Sequence, residues 1–213
     1  MSNIHREKKP ILSCFTIGHS DYSIDCFIQL LKKHDIDSLV DIRSVPYSQH
    51  SSQFNRELLA ADLKVNNILY IYMGNQLGGR YTNPDLLFQD GKVDYAKVRQ
   101  TKNFINGMDK IIQEIKKGCR IALMCSEKDP FDCHRFVLVA CELENKGVTV
   151  KHILENGNIV LNSELEEKLL HKYKEEYGQF YLFTQARTKE QALEEALRKR
   201  NLDIAFSTSR EKK

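Results

Sequence analysis

No run of about 18 apolar residues occurs in the chain, so no segment is long enough to cross a bilayer as a helix. The opening stretch, Met1 to Pro10, is polar and charged and lacks the apolar centre of a secretory signal. A cytoplasmic protein with a loose tail over residues 1–10 is therefore expected. No internal repeat and no low-complexity segment is present, which excludes solenoids and tails of biased composition. The phosphate-cradling pattern G-x-x-x-x-G-K-S/T is missing, and so is G-x-G-x-x-G; Gly18-His19-Ser20 is neither. A phosphatase or rhodanese-type loop needs an arginine soon after its thiolate, but Arg135 lies ten residues beyond Cys125. The six cysteines, Cys14, Cys26, Cys119, Cys125, Cys133 and Cys141, are even in number. A chain of 213 residues nevertheless has enough core to do without disulfide staples, so reduced thiols are expected, most of them buried as small hydrophobes. Lys and Arg number 32 against 29 Asp and Glu; a net charge of +3 neither demands nor excludes a nucleic-acid partner.

What is there is an alternation of short apolar runs and helical patterns. The runs are Ile11–Ile17, Ser38–Ile42, Ile68–Met73, Ile121–Met124 and Val148–Ile153. Between them, Ile24, Phe27, Leu30, Leu31 and His34 share a helical face behind a Ser23 N-cap. Leu58, Leu59 and Leu63 mark a second helix, and Phe104, Met108, Ile111, Ile112 and Ile115 a third that stops at Gly118. Phe136, Val139, Ala140 and Leu143 mark a fourth. Strands that read as continuous apolar runs belong to a parallel sheet covered on both faces. With right-handed crossovers this predicts an α/β, Rossmann-like three-layer sandwich with a mostly parallel sheet of about five strands over 11–160. Residues 161–213 read as an appended helical extension. Two capping boxes open its helices, Ser163 with Glu166 and Thr188 with Gln191. Their Glu/Lys richness is mainly a solvated face and secondarily a surface for nucleic acid, a protein partner or self-association.

In an open parallel sheet, ligands bind beyond the carboxyl ends of the strands. Four loops meet there and carry the chemistry-bearing residues. His19 reads either as a general acid/base or as a loop cap, with Ser20 beside it. Asp41 either orients His19 and handles protons, or pairs with Arg43. Arg43, Arg80 and Arg135 offer planar forks suited to phosphate or carboxylate, or to internal ion pairs. Gly78-Gly79 lets a backbone approach closely or simply turns. Cys125 and Glu127 follow the fourth run, and Cys133-His134-Arg135 opens the next helix. A first-turn position would lower the Cys133 thiol pKa, although Cys133 also fits a core position. Cys125, Cys133 and His134 have zinc-ligand types without a standard zinc spacing, so no metal and no cofactor are expected.

Taken in order, Thr16-Ile17-Gly18-His19-Ser20, Leu39 to Pro46, Phe54-Asn55, Leu77-Gly78-Gly79-Arg80, Met124 to Pro130 and Cys133-His134-Arg135 resemble the DUF488 family, a domain of unknown function. The resemblance spans roughly residues 12 to 155 and implies a Rossmann-like fold in a cytoplasmic bacterial or archaeal protein. Its motif positions are His19, Asp41, Arg43, Asn55, Gly79, Cys125, Glu127, Cys133, His134 and Arg135. It supplies no settled activity and leans toward a nucleotide or nucleic-acid substrate. The expected function is an enzyme acting on a phosphate- or nucleobase-bearing substrate. Ser20, Arg43, Asn55, Gly79, Arg80 and Arg135 would bind it, while His19, Asp41, Cys125, Glu127, Cys133 and His134 would react. The alternative is a non-catalytic nucleotide or nucleic-acid sensor.

Overall fold

The computed structural model describes residues 11–177 and 188–210, so the expected N-terminal tail lies outside the described residues. Six strands form one sheet in the order β3-β2-β4-β1-β5-β6. They are β1 (Ser13–Gly18), β2 (Ser38–Asp41), β3 (Leu69–Tyr72), β4 (Ile121–Cys125), β5 (Thr149–Ile153) and β6 (Ile159–Leu161). All pairings are parallel except β5 with β6. The α/β, Rossmann-like reading holds, with β6 as the strand not foreseen. That strand returns from β5 across Glu155-Asn156-Gly157, with Gly157 at φ +73° and the loop closed by Leu154 N–H donating to the Asn158 carbonyl. A three-residue hairpin loop ending in a left-handed glycine is one of the common hairpin solutions.

The side-chain alternation of each strand splits the core in two. On one face, Phe15 and Ile17 of β1, Leu39 of β2, and Ala122 and Met124 of β4 pack against α1 (Ile24–Lys33) and α2 (Arg56–Val65), through Phe27, Leu31, Leu59 and Leu63. On the other, Cys14, Val40, Leu123, Cys125 and Val150 pack against α5 (Lys102–Lys116) through Phe104, Met108 and Ile111. The same cluster takes in a buried π-helical turn, Arg135–Ala140, that runs into α6 (Cys141–Asn145). It also includes Leu165 and Leu169 of α7 (Asn162–Tyr177) and Ala196 of α8 (Lys189–Ile204). Two short helices complete the fold, α3 (Gly74–Leu77) after β3 and α4 (Tyr95–Arg99) before α5.

The caps test the local reading. The Ser23 hydroxyl accepts from the Cys26 N–H, and Gly118 ends α5 at φ +99°. Thr188 and Gln191 form a full capping box on α8. The box read at Ser163 and Glu166 is replaced. α7 starts at Asn162, two residues ahead of the start that a Ser163 cap implies, and the Glu164 carboxylate accepts from the Leu161 N–H at 2.9 Å. Glu166 instead accepts from the Asn162 amide, whose oxygen faces buried His152.

Candidate functional site

The strand order sets the site. β4 lies between β2 and β1, so the carboxyl ends of three neighbouring parallel strands open together. The ladder continues past them: His19 and Ser20 N–H groups donate to the Cys125 and Ser126 carbonyls, and Ile42 N–H to that of Met124. Loops that are far apart in sequence are thereby fixed side by side.

From β1 and β2 comes a buried ionic knot. Asp41 is fully buried and Arg43 is 4% exposed. Arg43 donates from Nε and one terminal nitrogen to the two Asp41 oxygens at 2.9 and 2.7 Å, and its backbone N–H reaches the same carboxylate at 3.0 Å. The Tyr70 hydroxyl donates to Asp41 at 2.7 Å, and Arg43 also holds the Phe54 carbonyl at 2.8 Å. The other terminal nitrogen donates to His19 Nε2 at 3.2 Å. Since arginine can only donate, Nε2 is an acceptor, and the proton sits on Nδ1, which donates to the Ser20 carbonyl at 2.8 Å. Burial first, and then the Arg43 charge, lower the His19 pKa to about 4. His19, stacked on Phe54 at 4.3 Å, is therefore a neutral imidazole with both nitrogens occupied.

Arg135 is also consumed internally. Its side chain is wholly buried and its terminal nitrogens donate to the Glu127 and Lys128 carbonyls. Gly18 makes room for this brace: a Cβ there would lie 1.9 Å from the Glu127 carbonyl oxygen and 2.9 Å from the Arg135 guanidinium. Ser20 turns outward to bond Asp21, and the Asn55 side chain accepts from the Ser48 N–H to close the loop before α2.

The remaining residues, apart from buried Cys133, face a cavity of about 270 Å³. Its wall includes Arg43, Ser44, Gly79, Arg80, Tyr95, Cys125, Glu127 and His134, closed by Phe206 and Ser207 after α8. Glu127 sits on an exposed loop, yet its carboxylate turns inward to accept from the Cys125 and Cys133 thiols at 2.8 and 3.0 Å. His134 Nδ1 lies 3.5 and 3.8 Å from the same sulfurs. Burial would raise the Glu127 carboxyl, but facing His134 and the two thiol donors outweigh it and bring it to about 2. Burial likewise opposes charge on His134, but Cys133 and Glu127 outweigh it and raise its pKa. The Cys133 thiol is pushed well up, chiefly by burial and then by Cys125. That reverses the expected helix-start effect. Cys133 has extended backbone (φ −128°, ψ 146°) ahead of the helix, and its sulfur is desolvated. Gly79 permits the contact on the far side, because a Cβ there would lie 2.8 Å from the His134 ring. The Cys125, Glu127, Cys133 and His134 donor atoms all fall within 4.8 Å of one another, a spacing that suits a metal ion.

Arg80 is the exposed arginine of the set. Its guanidinium lies over the Phe206 ring at 5.4 Å and pairs with no carboxylate among the described residues. Phe206 is fixed by its carbonyl accepting from the Val93 N–H, and α8 is tied to the site by Arg200, which holds the Phe131 carbonyl and the Asp132 carboxylate just ahead of Cys133. Sequence reading missed Phe206, Ser207, Tyr95, Tyr70 and Arg200. Tyr70 and Arg200 could have been sought as partners for buried charge and backbone; nothing local marks the other three as cavity wall. A larger hollow of about 640 Å³ lies between α4 and α8, and neither cysteine nor histidine lines it.

This is an α/β chain with a carboxyl-edge cavity and a thiol–imidazole–carboxylate cluster on its wall. The family model for the domain of unknown function DUF488 matches residues 23–141, more than half the chain, and the chain belongs to that family. No curated protein and no solved structure shows a significant match to it. Among the described residues no helix is long and apolar enough to cross a membrane.

Proposed function

We propose that this protein is an enzyme acting on a phosphate- or nucleobase-bearing substrate, a nucleotide or an end of a nucleic acid, in the carboxyl-edge cavity. The observation that carries the reading is Arg80. An arginine fork with no carboxylate partner among the described residues lines a cavity whose wall also holds Cys125, Glu127 and His134. A free guanidinium suits an anionic group, and its stacking on Phe206 restricts it before a ligand arrives. A volume of about 270 Å³ falls just below the usual range of about 300–1,000 Å³ for small-molecule sites, so the cavity suits a small group no larger than one nucleotide. The anion at Arg80 would set the reacting atom beside the cluster of Cys125, Glu127 and His134.

One charge-assisted contact contributes about 1.5–3 kcal/mol, so Arg80→Ala is expected to weaken a bound phosphate group tenfold or more. Thermal-shift and calorimetric titrations with inorganic phosphate, nucleoside monophosphates and short oligonucleotides measure this, with product analysis by mass spectrometry for turnover. Arg80→Lys should recover only part of the loss, because an ammonium lacks the planar fork. If none of these ligands raises the melting point of the wild type, the anion reading fails. Binding without any product identifies a sensor instead of an enzyme.

A further inference from the structure

Among the described residues, Cys125, Glu127, Cys133 and His134 are the one group of three or more cysteine, histidine and carboxylate side chains with donor atoms within metal-binding reach. We propose that these four side chains form a site for a zinc-class divalent ion, open to the cavity on the Glu127 side. The proposal goes beyond the substrate reading and does not depend on it.

The two sulfur-to-imidazole distances are those of a tetrahedral site. Zinc–sulfur bonds of about 2.3 Å and zinc–nitrogen bonds of about 2.0–2.1 Å give a sulfur-to-nitrogen edge of about 3.6 Å. The two sulfur-to-His134 Nδ1 distances are 3.5 and 3.8 Å. Glu127 Oε2 sits closer, at 2.8 and 3.0 Å, because it accepts the thiol protons. An ion that replaces those protons requires the carboxylate to retreat by roughly 0.6–0.8 Å to a tetrahedral edge. The exposed Glu127 side chain can swing that far by rotamer change while its backbone stays braced, whereas the two buried cysteines have no such room.

The donor types narrow the metal. Two thiolates and an imidazole suit zinc and its softer relatives and exclude magnesium or calcium. The linear spacing, which matches no standard zinc pattern, is bridged by the fold. Arg135 grips the Glu127 and Lys128 carbonyls, and Arg200 grips the Phe131 carbonyl, so the loop from Ser126 to Asp132 folds Cys133 back onto Cys125. Without an ion, two thiols share one carboxylate, and His134 Nδ1 faces their two sulfurs. With one, the charge closes to −1: two thiolates and a carboxylate against a divalent cation, beside Arg43 and Arg80 on the same cavity wall. Four protein ligands would fill a tetrahedron, as in structural zinc sites, while Cys125, Glu127 and His134 also line the cavity.

Binding is written as Zn²⁺ displacing one proton from each thiol, so about two protons leave per ion. The test uses the full chain, reduced and stripped of metal. Zinc titration should show one equivalent bound with an apparent Kd near or below about 100 nM, together with that proton release. Cobalt should give thiolate charge-transfer absorption and the visible bands of a tetrahedral ion. Cys125→Ser and Cys133→Ser should each weaken zinc at least about 100-fold, and the exposed Cys26→Ser should change nothing. Glu127→Gln sits on the exposed loop and should fold normally, yet alter the cobalt spectrum and weaken zinc roughly tenfold. Arg80→Ala should leave zinc affinity intact while losing the anion, so each proposal fails separately. A wild-type Kd weaker than about 10 µM, or equal zinc affinity in wild type and both cysteine variants, overturns the site.

Discussion

Arg43→Ala separates two uses of an arginine at a sheet's carboxyl edge. In the fold, Asp41 is completely enclosed, and the Arg43 side chain supplies two of its hydrogen bonds. After truncation the carboxylate keeps only the Tyr70 hydroxyl and the residue 43 backbone N–H, while the Phe54 carbonyl and His19 Nε2 each lose a donor. Removing one partner of a buried pair costs about 3–5 kcal/mol, because the other charge stays behind unpaired. At about 2–4 °C per kcal/mol for a chain of this size, the melting temperature should fall by roughly 6–20 °C. Arg43→Lys keeps the charge but loses the two-point fork and should fall in between. Because the damage is an uncompensated charge, Asp41→Asn/Arg43→Ala should be more stable than Arg43→Ala alone by at least about 1 kcal/mol. Differential scanning calorimetry on the four proteins reads all of this. A drop of less than about 2 °C in Arg43→Ala, or a double variant no better than the single, refutes the structural assignment and returns Arg43 to ligand binding.

Other outcomes follow from the same reasoning. His152, buried between Thr16 and Asn162 and near Arg135, has its pKa lowered from 6.5 to about 3, first by desolvation. The neutral form is the folded form, so its contribution is complete above pH 6.5 and is lost as pH falls toward 3; with Glu166 reaching it only through Asn162, about 2–3 kcal/mol should be gone by pH 4.5. Urea unfolding against pH should show this slope flattened in His152→Gln, and an unchanged slope refutes it. Gly18→Ala should cost about 1–3 kcal/mol or more, because the new methyl meets the Glu127 carbonyl, and it should loosen the loop that carries Glu127. Arg135→Lys can satisfy at most one of two carbonyl partners with equal geometry, so amide exchange over 126–129 should rise; protection equal to wild type would contradict the brace.

The fold was legible because its strongest strands announce themselves. β2 and β4 are buried at every position, and buried strands in a parallel sheet read as unbroken apolar runs. β6 was harder: three residues, partly exposed, with a period too short to count, although the Asn156-Gly157 pair beside it is a hairpin signal. The start of α7 moved because Glu164, nearer than Glu166, reaches the free N–H ahead of the helix. The edge residues were found by topology alone, since everything that follows β1, β2 and β4 must meet. What topology leaves open is which of the gathered side chains are already spoken for. That depends on Tyr70 reaching Asp41, on Arg200 reaching the Phe131 carbonyl, and on the chain after α8 laying Phe206 against Arg80. Those contacts join residues far apart in sequence, and no local pattern encodes them.

Subtraction then reduces a crowded edge to a small working set. Of the three arginines that suggested an anion cradle, Arg43 neutralises Asp41 and Arg135 holds two backbone carbonyls. Both arginines do their work by placing loops: Arg43 fixes His19 and the turn at Phe54, and Arg135 fixes the loop that points Glu127 inward. His19 is thereby spent as well, with each ring nitrogen bonded. Arg80, Cys125, Glu127, Cys133 and His134 are left over, because no structural debt of the fold is discharged by bringing two thiols and an imidazole around one carboxylate. A core that needed only packing at these positions would be better filled by apolar side chains, since buried polar groups weaken a fold unless something repays their desolvation. An ion at the cluster and an anion at Arg80 would supply that repayment from outside the chain. Arg80 and three of the four cluster residues line one cavity, and each variant that removes one proposed load should leave the other measurable.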